Sequence, residues 1–115
     1  MDGVVVRAGE GEVLFGGRIV IKADFEQLCI TESHFDSARP GASPHYHRWH
    51  ADSFYVLEGE PEFLMGEERL RLSAGSYVAA PLDVVHTFGN PGPGRARLLN
   101  VHAPSCGFHE YLRGT

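Results

Sequence analysis

The stretch PGASPHYHRWHADSFYVLEGE, residues 40–60, decides how this chain is read. His45 and His47 stand two apart, and in an extended strand residues i and i+2 project from one face, so both imidazoles can approach a single point. Asp52 opens the apolar run that follows. Its parity is opposite to that of His47, so it reaches the same point only if the chain turns over the polar residues 48–51. Two histidines and a carboxylate delivered by neighbouring strands form a metal-ligating set.

A fourth group comes from GSYVAAPLDVVHTFGN, residues 75–90, which places His86 after a strand and a proline turn. Together the two stretches resemble the paired motifs of the cupin superfamily. The first motif, G-x5-H-x-H-x(3,4)-E-x6-G, is matched in spacing by His45, His47, Asp52 and Gly59. The second, G-x5-P-x-G-x2-H-x3-N, is matched by Gly75, Pro81, His86 and Asn90. Three positions depart from the pattern. Arg39 takes the place of the first glycine, with Gly41 two residues later. Asp83 takes the place of the middle glycine of the second motif, where Asp tolerates a left-handed backbone better than most residues. Asp52 stands where the family usually has Glu, one methylene longer. His50, in the turn between His47 and Asp52, is the alternative ligand.

The resemblance implies an all-β double-stranded β-helix, a jelly-roll barrel, here with a short C-terminal helix. It also implies one divalent transition metal ion held by His45, His47, His86 and Asp52. Imidazole and carboxylate together suit Fe, Mn, Ni, Cu or Zn and separate them poorly. Four protein ligands leave open positions in an octahedron, which permits Lewis-acid or oxygen chemistry. Phe54 and Val56 share the parity of Asp52, and Phe88 that of His86, so these side chains are expected to line the pocket. Asn100 and His102 share one face of a later strand and are expected to line it too if that face points inward. A core histidine is the competing reading of His102, and surface positions are expected for His34 and His109.

Composition bounds the rest. The 115 residues are expected to form one domain with a single core. Fourteen glycines and seven prolines favour many short strands over long helices. A net charge of −5, without a run of Lys or Arg, argues against nucleic acid or an anionic membrane as partner. No run approaches the roughly 18–20 apolar residues of a membrane span, and the N-terminal residues do not read as a secretory signal. The expected location is the cytoplasm. Cys29 and Cys106 do not form a disulfide framework; Cys29 reads as buried and Cys106 as exposed in a turn.

In chain order, residues 4–7, 13–15 and 18–22 read as short edge strands between glycine turns, and 27–35 as the first long strand. Residues 36–44 read as a loop, 53–57 as a strand, and 62–65 with 69–72 as a hairpin around residues 66–68. Strands are further expected at 76–80, from 86, and at 95–103, with a helical turn or two over 108–113. The apolar N-terminal edge is expected to be covered by a second subunit, as a homodimer.

Two classes of function follow from the resemblance. One is a metal-dependent enzyme acting on a small organic substrate, dioxygenase-like or isomerase- or cyclase-like. The other is a non-catalytic module that binds or senses a small molecule. A purely structural cupin would not need the four ligand-type residues.

Overall fold

Strand alternation sets the architecture. The computed structural model describes residues 3–36, 39–41 and 43–114. Its ten strands are β1 (Glu12–Leu14), β2 (Ile19–Phe25), β3 (Leu28–Phe35), β4 (Arg39–Pro40), β5 (Ala51–Glu58), β6 (Glu62–Met65), β7 (Glu68–Arg71), β8 (Tyr77–Ala80), β9 (His86–Asn90) and β10 (Ala96–Ala103). A short helix α1 (Phe108–Arg113) follows them. The strands form a six-stranded sheet, ordered β1-β2-β3-β10-β5-β8, and a four-stranded sheet, ordered β4-β9-β6-β7. Among the described residues the pairings between these strands are all antiparallel. This is the double-stranded β-helix, closed by one short C-terminal helix.

The long strands read as period-two sequences with one dry face. Along β3, Cys29, Thr31, Ser33 and Phe35 are buried; along β5, Asp52, Phe54 and Val56; along β10, Ala96, Leu98, Asn100 and His102. Phe35, Phe54, Val56, Phe63 and Leu98 make the apolar core, with Met65, Leu72, Val78 and Phe88 packed against it. Its rings meet tilted or edge-on: Phe54 lies 4.9 Å from Phe88 and 5.4 Å from Phe63, and Phe35 meets Phe88 edge-on at 5.4 Å. β5 and β10 carry polar residues, Asp52, Asn100 and His102, at one end of their dry faces, and this is where the histidines gather.

Two glycines and one asparagine hold the barrel corners. Gly59 has φ 83°, and a side chain there would strike the Arg95 carbonyl and Ala96. Gly41, where an added Cβ would run into the Phe88 carbonyl, supplies the close approach from a position two residues past Arg39. The Asn90 amide donates to the Asp36 carbonyl at 2.8 Å and the Gly94 carbonyl at 2.9 Å, and its oxygen accepts from Gly92 N–H. It therefore ties the 91–95 loop to the end of β3. Asp83 adopts φ 66°, the left-handed conformation allowed for it in the turn.

Several boundaries differ from expectation. Residues 4–7 form no strand; they are exposed and irregular, and the Arg7 backbone bonds to the Glu10 side chain and backbone and the Lys22 side chain instead of a strand ladder. β4 lies within the expected 36–44 loop, of which residues 37, 38 and 42 are outside the described set. The turn of the β6–β7 hairpin is shorter than expected, and β7 starts at Glu68. His45 and His47 do not lie in a regular strand: His45 makes one isolated bridge to His86, and the chain bends over residues 48–50.

On the outer face of the large sheet Arg97 bridges Glu32 on β3 and Glu58 on β5, at 2.9 and 3.0 Å. Arg113 fastens α1 to the sheet edge through Glu12 on β1 and Asp24 on β2. Among the described residues no helix is long and apolar enough to cross a membrane. Cys29 is buried and Cys106 exposed, and both are free thiols. Burial pushes the Cys29 thiol up to about 11.

Candidate metal centre

The backbone brings His45 and His86 side by side before any ligand is considered. His45 N–H donates to the His86 carbonyl at 3.0 Å and His86 N–H to the His45 carbonyl at 2.8 Å. Asp83 N–H donates to the His47 carbonyl at 2.8 Å. The 45–47 segment is thus held against the turn that leads into β9. The i, i+2 spacing then acts without a regular strand, and the His45 and His47 rings lie 4.9 Å apart.

Asp52 enters from the neighbouring sheet. It pairs with His102 in the β5–β10 register and with Ala80 in the β5–β8 register, and its side chain points inward. Ligand atoms from His45, His47, Asp52 and His86 all lie within 4.8 Å of one another. Asp52 and His86 are buried while His45 and His47 are half-buried, so the cluster sits just inside one end of the barrel. Asp52 Oδ2 is its hub: His86 Nε2 is 2.9 Å away, His102 Nε2 3.3 Å and His47 Nε2 3.4 Å. Asn100 donates to Asp52 Oδ1 and to the Ser53 carbonyl, so the other carboxylate oxygen is occupied from behind.

The electrostatics follow from this packing. Burial alone would raise the Asp52 pKa, but hydrogen bonds from His102, His86 and Asn100 outweigh it and hold the carboxyl below its usual range. Burial also opposes charge on His86, yet its hydrogen bonds to Asp52 and the Val84 carbonyl raise its pKa. Burial, with His50 as a neighbour, lowers His47 to about 4. Burial and then His102 lower His50. A neutral His47 and an ionised Asp52 are in the protonation states a metal ion requires of its ligands, and His86 reaches that state by giving up a proton.

The ring tautomers fit an ion as well. His45 Nδ1 lies 2.7 Å from the Ser43 carbonyl and His86 Nδ1 2.9 Å from the Val84 carbonyl. A carbonyl only accepts, so each Nδ1 carries a proton; a neutral His45 then keeps a lone pair on Nε2, whereas His86 Nε2 also faces the Asp52 carboxylate and is freed only when a metal ion replaces a proton there. Among the described residues His47 Nε2 is buried without a hydrogen-bond partner. The fold therefore presents a histidine and aspartate cluster that can bind a metal ion, and the donor set does not specify which.

The other candidate residues fall in distinct places. Phe54 lies beneath the cluster, its ring 6.3 Å from that of His86, while Val56 and Phe88 belong to the apolar core below. Asn100 and His102 do face inward, against Asp52. His50 is buried and stacks on His47 at 4.1 Å. Phe108, the first residue of α1, stacks on His102 at 3.6 Å. Its place over the histidines is set by a loop between β10 and α1, for which no periodic signal exists.

The fold and this cluster define a small β-barrel protein able to bind a metal ion at one barrel end. The sequence profile of the cupin domain matches residues 33–102, and the chain belongs to that family. It is 32% identical over 89 residues to a quercetin 2,3-dioxygenase of Bacillus subtilis (strain 168), covering 73% of this chain and 26% of that one. It is 36% identical over 63 residues to the polyketide synthase CurC of Streptomyces cyaneus, covering 53% and 41%. The chain thus matches well under half the length of either relative. Among solved structures, KdgF from Halomonas sp. superposes with a TM-score of 0.72 at 26% identity, covering 79% of this chain and 81% of that one. An RmlC-like cupin from Shewanella frigidimarina superposes with a TM-score of 0.73 at 24% identity, covering 84% and 86%.

Proposed function

We propose that this protein is a metal-dependent enzyme acting on a small organic substrate at the open end of the barrel. In this reading His45, His47, Asp52 and His86 hold one divalent transition metal ion. The observation that carries it is the convergence of those four ligand atoms within 4.8 Å at a site closed below by Phe54 and open on the His45 and His47 side. A bound ion there supplies Lewis acidity or a site for oxygen chemistry, because four protein ligands leave coordination positions free.

The chain's own residues have defined tasks in this reading. The Ser43 and Val84 carbonyls hold His45 and His86 in the tautomer that binds. Asn100 aims the short Asp52 carboxylate, which compensates for the missing methylene by starting from a strand in register with His102. Tyr46, Arg48, Trp49, Asp83 and Val85 line a surface depression beside the histidine segment, where a substrate would approach. The relatives named as a dioxygenase and a polyketide synthase support a reaction over simple storage.

The reading includes a homodimer paired along the β1 edge and a cytoplasmic location. Val13, Phe15 and Phe25 are exposed around that edge, and the irregular 4–6 segment adds three more exposed valines. The two free thiols agree with a reducing compartment.

The test is metal analysis of protein purified without added metal, followed by oxygen-uptake and product assays with flavonols and other small aromatic or enediol compounds. Metal-dependent turnover is expected. Tight binding of a small molecule with no turnover under any metal would replace the enzyme reading with a sensing module.

A further inference from the structure

Beside the four-residue set, three imidazoles meet in a second group. His47, His50 and His102 offer ring nitrogens that all lie within 4.8 Å of one another. Ring centroids are 4.1 Å apart for His47 and His50, 4.8 Å for His50 and His102, and 5.6 Å for His47 and His102. His50 is 8% exposed and His102 1%. Among the described residues His47 Nε2, His50 Nε2 and His102 Nδ1 are buried without a hydrogen-bond partner. A buried polar atom left unpaired is destabilising, so three in one cluster call for a common partner.

The tautomer of His102 points the same way. Its Nε2 faces Asp52 Oδ2 at 3.3 Å, and an ionised carboxylate only accepts. The proton therefore sits on Nε2, and Nδ1 keeps its lone pair. A carboxylate behind an imidazole whose other nitrogen is free is the arrangement that orients a metal-binding histidine. Phe108 lies nearly parallel to the His102 ring, at 21°, and fixes its plane.

We propose that His47, His50 and His102 form a second, all-imidazole position for a divalent metal ion, alternative to the first. The two positions share His47, so one ion at a time is held, and the identity of the ion selects the position. Three neutral nitrogens favour Zn2+ or Cu2+, whereas the set that contains Asp52 accommodates Mn2+. Asp52 has a different task in each case: it is a ligand in the first position and the orienting partner of His102 in the second. The choice between positions rests on the metal-binding part of the proposed function, whereas the all-imidazole position itself shares only His47 with it.

The experiment titrates Zn2+ and Mn2+ into chelator-stripped protein by calorimetry, with circular dichroism to establish that each variant is folded. His50→Ala is expected to weaken Zn2+ binding by at least about tenfold while leaving Mn2+ binding unchanged. The double variant His45→Ala with His86→Ala is expected to lose Mn2+ and retain one equivalent of Zn2+, which a further His50→Ala removes. Unchanged Zn2+ affinity in His50→Ala overturns the proposal, whatever the folding of the double variant. A wild type that takes Zn2+ through His50 but never binds Mn2+ would uphold the all-imidazole position and overturn the selection between positions by the ion.

Discussion

His86 Nε2 lies 2.9 Å from Asp52 Oδ2 while its Nδ1 lies 2.9 Å from the Val84 carbonyl. Both oxygens are acceptors, so a neutral His86 can donate to only one of them. With the proton on Nδ1, two lone pairs face each other across the Nε2 to Oδ2 gap unless a second proton or a metal ion stands between them. Without a metal ion a second proton is favoured there, because hydrogen bonds to Asp52 and the Val84 carbonyl raise the His86 pKa despite burial. A metal ion competes with that proton.

Metal affinity should therefore fall as the solution is acidified, with protons released on binding. Calorimetry of Mn2+ binding in buffers of different ionisation enthalpy measures the release directly. Binding without proton release near pH 6.5 would show that His86 is already neutral in the metal-free protein.

Removing His86 should weaken Mn2+ binding by more than the about 10–100-fold typical of losing an outer-shell partner. Asn100→Ala should fall within that range, because it frees Asp52 Oδ1 without removing a ligand. Asp52→Ala should cost less than His86→Ala if water takes its coordination position. Equal losses for Asn100→Ala and His86→Ala would mean that the asparagine, not the histidine, touches the ion.

Chelation should lower thermal stability without unfolding the chain, since the apolar core lies below the histidines. An ion present at about 100 times its Kd adds about 2.7 kcal/mol, a rise in Tm of roughly 10–20 °C for a domain of this size. Phe54→Ala should instead destabilise with or without metal, by about 3–5 kcal/mol. A chain that unfolds on chelation would make the site structural.

The metal-free protein should lose stability as pH falls from about 6.5 toward 4. His47, lowered to about 4, and His50, also lowered, bind protons in the unfolded chain before they do so in the folded one. His86 acts in the opposite sense: its raised pKa contributes stability below its unfolded value, lost as pH rises through the folded one. Two against one predicts a net fall, read as the urea midpoint across that window. A midpoint that rises on acidification would show that His86 dominates.

The β1 edge should be shielded in solution by a second copy. Light scattering should give a dimer, and Val13→Asp should shift it toward monomer with the fold intact by circular dichroism. A monomeric mass at all concentrations removes the pairing.

Much of this was legible in the chain because the rules involved are local. A period of two along residues 27–35, 53–57 and 95–103 reports which side chains share a face, and the paired histidine and proline motifs report their order. The left-handed Asp83 and the helical turn over residues 108–113 belong to the same class. The N-terminal valines misled because apolar character does not create a neighbouring strand, and residues 4–7 join no ladder here. The convergence of His50 and His102 was decided only in three dimensions. His50 is turned inward by the bend over residues 48–50, and His102 meets Asp52 through the β5–β10 register. Strand register and the hand of a bend depend on what packs across the barrel, and spacing along the chain carries no measure of either.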